Sequence, residues 1–454
     1  MKSMQTLRLP ALLLFAVFIC VPFSHAATAH SSTMNVIYTF YKEASEPKLP
    51  MSSLIEGDDG ELYGTTRFGG TNEGGTVFKV SKAGQLTVLH YFPQLSHPRG
   101  NLVRALDGSF YGTTDGGAYW NGTIYKINSD GVVMLLHSLR YDTNGSNPWG
   151  LRQTPDGHFY GVTSQGGKFG GGTIFRYATN GAFKSLWSFE GGAGYPTGQL
   201  LLAADGCLYG TTMGVNDNGT IFCFSTNGTA TTVITFNHTN GSKPRGELIL
   251  GEDGEMYGST AYGGQHGLGT LFKLTTNGML TTLFHFDGTN GASPNGGLMR
   301  SRQGYYYGMT AANGPLFSTY GTIFRFKPNG DLTTLARLDG TNGSRPWGKF
   351  IQGRQGSIYA ALGDITYTLG ANGGTIVRIE EEPTIASVVV KDSEATLTWL
   401  SFSNREYRIE RQSSFSGTEW TAVEPVVLAQ SETTSVAVPT FASPQCYYRI
   451  VLLP

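Results

Sequence analysis

Asp253-Gly254-Glu255-Met256-Tyr257-Gly258-Ser259-Thr260 and, nine residues on, Gly269-Thr270-Leu271-Phe272-Lys273-Leu274 are two phrases of a sentence that the chain repeats seven times. Tyr63, Tyr111, Tyr160, Tyr209, Tyr257 and Tyr307 each open the first phrase, and Tyr359 opens a worn copy. Their spacings are 48, 49, 49, 48, 50 and 52 residues. The second phrase, Gly-Thr-aliphatic-aromatic-Lys/Arg, starts at Gly75, Gly122, Gly172, Gly219, Gly269, Gly321 and Gly374. A period of this length marks stacked or radially arranged supersecondary units.

One copy reads as four short strands. Glu247-Leu-Ile-Leu-Gly251 is the first, and Asp253-Gly254 is a tight turn into the second, Glu255 to Thr260. A glycine-rich loop from Ala261 to Leu268 leads to the third, Gly269 to Leu274. Asn277-Gly278 turns the chain into the fourth, Met279 to Phe286. Four antiparallel strands repeated about an axis make a propeller blade. The seventh copy stops after its third strand, Gly374-Thr-Ile-Val-Arg378. A matching fourth strand, Asn35-Val-Ile-Tyr-Thr-Phe40, stands near the other end of the chain. Pairing the two would close a ring and leave no open edge. The expected fold is therefore all-β: a seven-bladed β-propeller of four-stranded blades closed by an N-terminal strand, followed by a small β-sandwich.

The 454 residues include 63 glycines and only 14% charged residues, against about 25% charged in an average soluble domain. That balance suits short strands joined by tight turns and does not suit a helical or disordered chain. Residues 1–26 read as a signal peptide: Lys2 and Arg8 flank an apolar run from Pro10 to Phe23, and Ser24-His25-Ala26 is a small-residue cleavage site. Its removal leaves 30 basic against 33 acidic residues. With no polybasic stripe, nucleic acid is excluded as a main partner, and no later segment is apolar enough for a membrane span. The mature protein is expected to be secreted, extracellular or periplasmic.

Strand order divides the loops between two faces. The Asp-Gly and Asn-Gly turns share one, and the longer second-to-third and blade-to-blade loops share the other, which is the candidate binding face. Its loops carry Phe68, Tyr119 with Trp120, Phe169, Tyr262, Phe317 with Tyr320, and Tyr367. Such rings can stack on sugar faces or hold peptide side chains. Packing against the neighbouring blade is the competing reading, with Trp120, in a short polar loop, the best exception. Trp149 and Trp347 occupy the place held elsewhere by Arg99 and Arg245, where packing between blades outweighs ligand contact.

No catalytic or metal site is legible. His90 and His137 fall where other copies carry Trp187, Ile234 and Phe284, so they read as packing residues. Asp59, Asp107, Asp156, Asp205 and Asp253 belong to tight turns. Asp115 and Asp364 are the irregular acids, too far apart in sequence to be read as a pair. No cofactor is implied. Cys207 stands where other copies have Glu61 or Glu255, and Cys223 where they have Lys79 or Lys273. A disulfide in place of a cross-strand ion pair is the expectation, and an oxidising compartment would permit it.

After Pro383 the repeat stops. Strands are expected at Ala386–Val390, Ala395–Leu400, Tyr407–Glu410, Thr418–Thr421, Thr434–Val438 and Tyr447–Ile450. The domains read as 27–383 for the propeller and 384–454 for the sandwich, whose pattern resembles fibronectin type III-like modules. The phrases Tyr-Gly-Thr-Thr, Gly-Gly, Gly-Thr-Val-Phe-Lys and Leu-Thr-Val-Leu-His, recurring in order over residues 35–379, resemble the GloVer tandem-repeat family of secreted bacterial proteins. That resemblance implies surface or secreted placement and carries no general activity. The chain departs from the family pattern in showing no sorting segment before Leu452-Leu453-Pro454, which leaves anchoring open. The leading expectation for function is a non-catalytic binding scaffold for an extracellular polysaccharide, peptide or protein. The alternatives are a propeller enzyme acting on glycans and a purely structural surface repeat.

Overall fold

Each repeat becomes one antiparallel sheet because its two phrases lock together side by side. In the first sheet Leu62–Phe68 pairs with Thr76–Val80, which places Thr66 opposite Thr76 and Gly64 opposite Phe78. The Thr66 and Thr76 hydroxyls are 2.8 Å apart and buried. The same pair recurs as Thr114–Thr123, Thr163–Thr173, Thr212–Thr220, Thr260–Thr270 and Thr310–Thr322, at 2.7–2.9 Å. Each pair adds a hydrogen bond between buried hydroxyls, a contribution of about 1 kcal/mol, and the first threonine also reaches a carbonyl two residues on, as Thr66 does to Phe68 O at 3.0 Å. The glycine opening the second phrase has positive φ in all seven copies, from +88° to +124°. A side chain there would be strained.

The computed structural model describes residues 34–453 apart from 42–44, 118, 129, 192–193, 215–217, 226–227, 313–319, 364–372, 382, 384, 392–393, 413–418 and 440–446. The expected signal segment and Cys446 lie outside the described residues. Among those described, seven sheets of four or five strands follow one another, then two three-stranded sheets, with one helical turn at Tyr141–Asn144. No described helix is long and apolar enough to cross a membrane. Met34–Phe40 pairs antiparallel with Gly374–Ile379 of the seventh sheet, from Met34 opposite Ile379 to Phe40 opposite Gly374.

Neighbouring sheets pack face to face. Tyr63 of the first sheet stacks on Phe110 of the second at 4.6 Å, and Tyr111 of the second on Phe159 of the third at 4.3 Å. Buried clusters join the sixth sheet to the seventh through Tyr307, Ile323, Ile358 and Val377. Phe40, Phe78, Tyr359 and Ile376 join the seventh to the first. Arg354 donates to the Asp58 carboxylate at 2.9 Å across the same junction. The recurring turn acids also have a structural job. The Tyr63, Tyr111, Tyr209 and Tyr257 phenols donate to Asp59, Asp107, Asp205 and Asp253 at 2.7–3.2 Å. Burial, with the bond to Asp205, pushes the Tyr209 phenol up to about 12.

The innermost strand departs from expectation. In the fifth copy Ile249–Leu250 joins the ladder, with a single bridge from Ser242 to Tyr262 ahead of it. The first, third and sixth copies have two short pieces, as in Lys48–Pro50 and Ile55–Glu56, both on Leu62–Phe68. The break falls at Pro-x-Gly/Ser-x, where proline has no N–H to give to the ladder. In the fourth copy the stretch stays within one strand, Pro196–Leu202, with a register shift after Thr197, and in all seven copies residues of the stretch line one cavity.

The two terminal sheets, Ile385–Lys391 with Glu394–Leu400 and Thr433–Pro439, and Thr421–Leu428 with Glu406–Gln412 and Tyr447–Leu452, share a core around Trp399, Tyr407 and Ile409. The strand expected at 418–421 instead runs Thr421–Leu428. Val423 and Val427 pack on the core, and Pro425 is tolerated because this is an edge strand. The unit touches the sixth and seventh sheets: the Arg302 guanidinium of the sixth lies 5.4 Å over the Phe402 ring and pairs with Glu432 at 3.1 Å. Gly356 is pressed so close to Phe402 that a Cβ there would overlap the ring.

Candidate functional site

The interrupted inner strands line a cup on the axis. Its rim takes the residue after proline from six of the seven Pro-x-Gly/Ser-x segments, Met51, Arg99, Trp149, Arg245, Asn295 and Trp347. Its floor takes the following positions, Ser53, Asn101, Gln199, Glu247 and Lys349. The cavity is about 50 Å³. A second cavity of about 180 Å³ lies deeper along the inner strands, lined by Leu200, Leu201, Leu248 and Leu250. Gln199, Glu247 and Lys349 border both, so they form a septum between them. Lys349 pairs with Glu247, and Gln199 donates its amide to the Leu151 carbonyl. The rim residues begin the inner strands, and Tyr262 of a second-to-third loop meets Arg245. The cup therefore opens on the long-loop face.

Arginine and tryptophan interleave around this opening. The Arg99 guanidinium sits 4.1 Å over the Trp149 ring. Arg245 lies between Tyr262 at 5.3 Å and Trp347 at 5.8 Å, and donates to Asn295 Oδ1 at 3.2 Å. Such cation–π contacts contribute about 0.5–2 kcal/mol each and fix the guanidinium planes. The expected packing role for the two tryptophans is thus joined by a position at the axial opening.

Behind the rim, Asp115 receives Arg67 at 3.3 Å and Arg99 at 3.7 Å. Burial pushes the Asp115 carboxyl up, against the pull of Arg99, Arg67 and His97. Burial lowers the Arg99 guanidinium, against the pull of Asp115. Two cations share one carboxylate. Arg99 Nε, Arg245 Nε and Trp149 Nε1 are buried donors without an acceptor among the described residues.

The loop aromatics divide into two groups. Tyr119, Trp120 and Phe169 are exposed, at 50%, 68% and 51%. Trp120 has φ +59°, and its N–H is held by Gly117 O at 3.0 Å. A bulky residue in the left-handed region is strained by roughly 1–3 kcal/mol. Arg140 lies 5.0 Å over Tyr119, and Lys168 5.0 Å over Phe169. By contrast Phe68 is half-buried, 4.7 Å from His97, and Tyr262 is half-buried beside Arg245. Tyr320 packs on the core between the sixth and seventh sheets. Phe317, Tyr367 and Asp364 lie outside the described residues. His137 stacks on Phe183 at 4.2 Å and His90 meets Phe92 edge-on. Among the described residues no group of three or more His, Cys, Asp and Glu could hold a metal. Cys207 and Cys223 form a disulfide, their Cα atoms 5.8 Å apart. It occupies the place where Lys273 pairs with Glu255 at 2.7 Å in the next sheet.

Sequence reasoning missed Gln199, Glu247, Asn295 and Lys349. The signal was present: within an otherwise repeated phrase, the two x positions of Pro-x-Gly/Ser-x change chemistry from copy to copy.

No curated protein matches the chain by sequence. Among solved structures, an oligogalacturonate lyase in complex with manganese is similar at TM-score 0.53 and 11% identity, over 77% of this chain and 96% of that one. The extracellular domain of a hybrid two-component system from B. thetaiotaomicron is similar at TM-score 0.51 and 11% identity, over 94% of this chain. This chain spans 60% of that domain's length. At such identities the likeness is one of fold: an all-β, propeller-like arrangement of antiparallel sheets. The Gloeobacter/Verrucomicrobia repeat profile matches residues 25–213 and 212–396, and the chain belongs to that repeat family.

Proposed function

We propose that this chain is an exported binding module: a seven-bladed β-propeller closed by its N-terminal strand, followed by a fibronectin type III-like unit, with its ligand seated at the axial cup of the long-loop face. The ring closure is supported by the pairing of Met34–Phe40 with the seventh sheet and by the buried cluster joining seventh sheet to first. The extracellular domain of similar fold agrees with export. One observation carries the functional reading. The repeat is most uniform where sheets pack and least uniform where the inner strands break. There it places Arg99, Trp149, Arg245, Asn295 and Trp347 around one cavity. A purely structural repeat has no use for that asymmetry. Tyr119, Trp120 and Phe169, exposed on loops of the same face, extend the surface outward.

Catalysis is the weaker reading because both carboxylates near the cup are engaged. Asp115 holds Arg67 and Arg99, and Glu247 holds Lys349.

A glycan and protein binding screen of the purified protein, beside a Trp149→Ala/Trp347→Ala variant and a Trp120→Ala variant, tests the reading. Binding lost in the double variant supports an axial site. Binding lost only in Trp120→Ala moves the site to the loops, and no binding leaves a structural role.

A further inference from the structure

We infer that the axial cup is an anion site for a carboxylate carried on a sugar ring, the terminal uronate of an acidic oligosaccharide, with Arg99 and Arg245 reading the carboxylate and Trp149 and Trp347 flanking the ring. This rests on the axial site proposed above and adds the class of ligand.

The first argument is charge. Lys349 and Glu247 neutralise each other, whereas Arg67 and Arg99 have only Asp115 between them. Arg245 makes no ion pair among the described residues; its partners are an amide oxygen and two rings. Two positive charges therefore remain uncompensated in a confined, partly dehydrated place. Keeping them there is costly unless an anion completes the site.

The second argument is hydrogen-bond type. Arg99 Nε, Arg245 Nε and Trp149 Nε1 are donors without acceptors. Asn101 Oδ1 accepts from Ser53 N at 2.7 Å, and Asn295 Oδ1 accepts from Arg245 and from Ser293 at 3.2 and 3.3 Å. Among the described residues Asp115 Oδ1 and Glu247 Oε1 accept no hydrogen bond, but both carboxylates are held in ion pairs. Open donors on uncommitted cations and an indole favour a ligand that accepts. Guanidinium forks match a carboxylate in shape as well as charge.

Size supplies the third. A cavity of about 50 Å³ takes a carboxylate and not a whole pyranose ring. The ring must then rest at the rim, where Trp149 and Trp347 stand. Indole faces suit the C–H faces of a sugar, and the exposed Tyr119, Trp120 and Phe169 lie outward on the same face for the next units. A peptide C-terminus shares the carboxylate but gains less from flat aromatic faces.

The test is titration calorimetry of the purified protein with trisaccharides ending in glucuronate or galacturonate, their methyl esters, a neutral trisaccharide, and a tripeptide with a free C-terminus. The acidic sugars should bind, and their esters at least tenfold more weakly. Affinity should fall as salt rises. Arg99→Gln and Arg245→Gln should each weaken binding tenfold or more while thermal unfolding shows both variants still cooperatively folded, and Arg245→Lys should fall between. The inference is overturned if esters bind as well as acids, if the tripeptide binds better than the sugars, or if the arginine variants leave acid binding intact. A neutral ligand that binds and is lost in Trp149→Ala/Trp347→Ala would overturn the anion inference while sparing the axial site. If no screened or titrated ligand binds, both fail.

Discussion

Ala360 lies directly opposite Val377 in the seventh sheet, where the other six sheets set a glycine against an aromatic ring. Those pairs are Gly64 with Phe78, Gly112 with Tyr125, Gly161 with Phe175, Gly210 with Phe222, Gly258 with Phe272 and Gly308 with Phe324. A Cβ on Gly258 would come within 2.6 Å of the Phe272 ring. The seventh copy adds a methyl group on one strand and removes a ring from the other. Its worn sequence is a compensated exchange.

From this follows a stability prediction. Gly258→Ala should destabilise the protein by about 1–3 kcal/mol, the usual cost of overpacking. Gly258→Ala with Phe272→Val should cost less than the two single changes added together, since the second relieves the clash created by the first. Thermal unfolding of the four proteins gives the coupling directly, and strict additivity would contradict the pairing.

The hydroxyl pairs give a second. Thr270→Val removes the 2.8 Å bond to Thr260 Oγ1, which keeps its donation to Tyr262 O and its acceptance from the residue-270 N–H. The expected loss is about 0.5–1.5 kcal/mol. Thr260→Val should cost more, because it removes all three of these bonds at once. Chemical denaturation reads both.

The disulfide gives a third. Cys207 and Cys223 are separated by 16 residues. Closing a loop of that size should stabilise by about 3 kcal/mol. The oxidised protein should weigh two hydrogens less than the reduced one by intact mass. Cys207→Ser/Cys223→Ser should unfold at lower denaturant, and reduction should move only the parent protein toward it.

Acid should weaken the fold through the turn carboxylates. Burial opposes ionisation of Asp59 and Asp107, but hydrogen bonds from Tyr63, Glu61 N–H and Lys79 in one case, and Lys126, Ser109 N–H and Tyr111 in the other, hold both below the ordinary 3.8. A folded value below the unfolded one contributes stability present above 3.8 and lost as pH falls through the folded value. Stability from these groups should therefore be flat from pH 7 to 5 and decline below about pH 4. Asp59→Asn/Asp107→Asn should flatten that decline, which denaturant melts across pH would read.

The sheets were legible in the sequence because each repeated residue meets a partner set by the ladder: glycine with ring, threonine with threonine, tyrosine with turn aspartate. The strand Asn35–Phe40 was legible for the same reason. The axial cup was harder to see. Glu247 and Lys349 meet about a hundred residues apart in sequence, at a shared cavity, where no local period records the contact. Its positions are marked by variation among copies, and a search for repeats discards variation. The loop aromatics shared one sequence signature but not one environment. Trp120 is exposed by a left-handed turn, whereas Tyr262 is held down by an arginine from an inner strand. The terminal strand at Thr421 was misplaced because Glu419-Trp420 alternates as a strand does, while the core contacts come later, from Val423 and Val427.

The most direct test of the axial account is a co-crystal structure of the protein with a ligand found by the binding screen. The account predicts ligand density at the cup, with its polar group against Arg99 and Arg245 and its ring between Trp149 and Trp347. Density confined to the Trp120 loop, or to the face carrying the Asp-Gly turns, would contradict it.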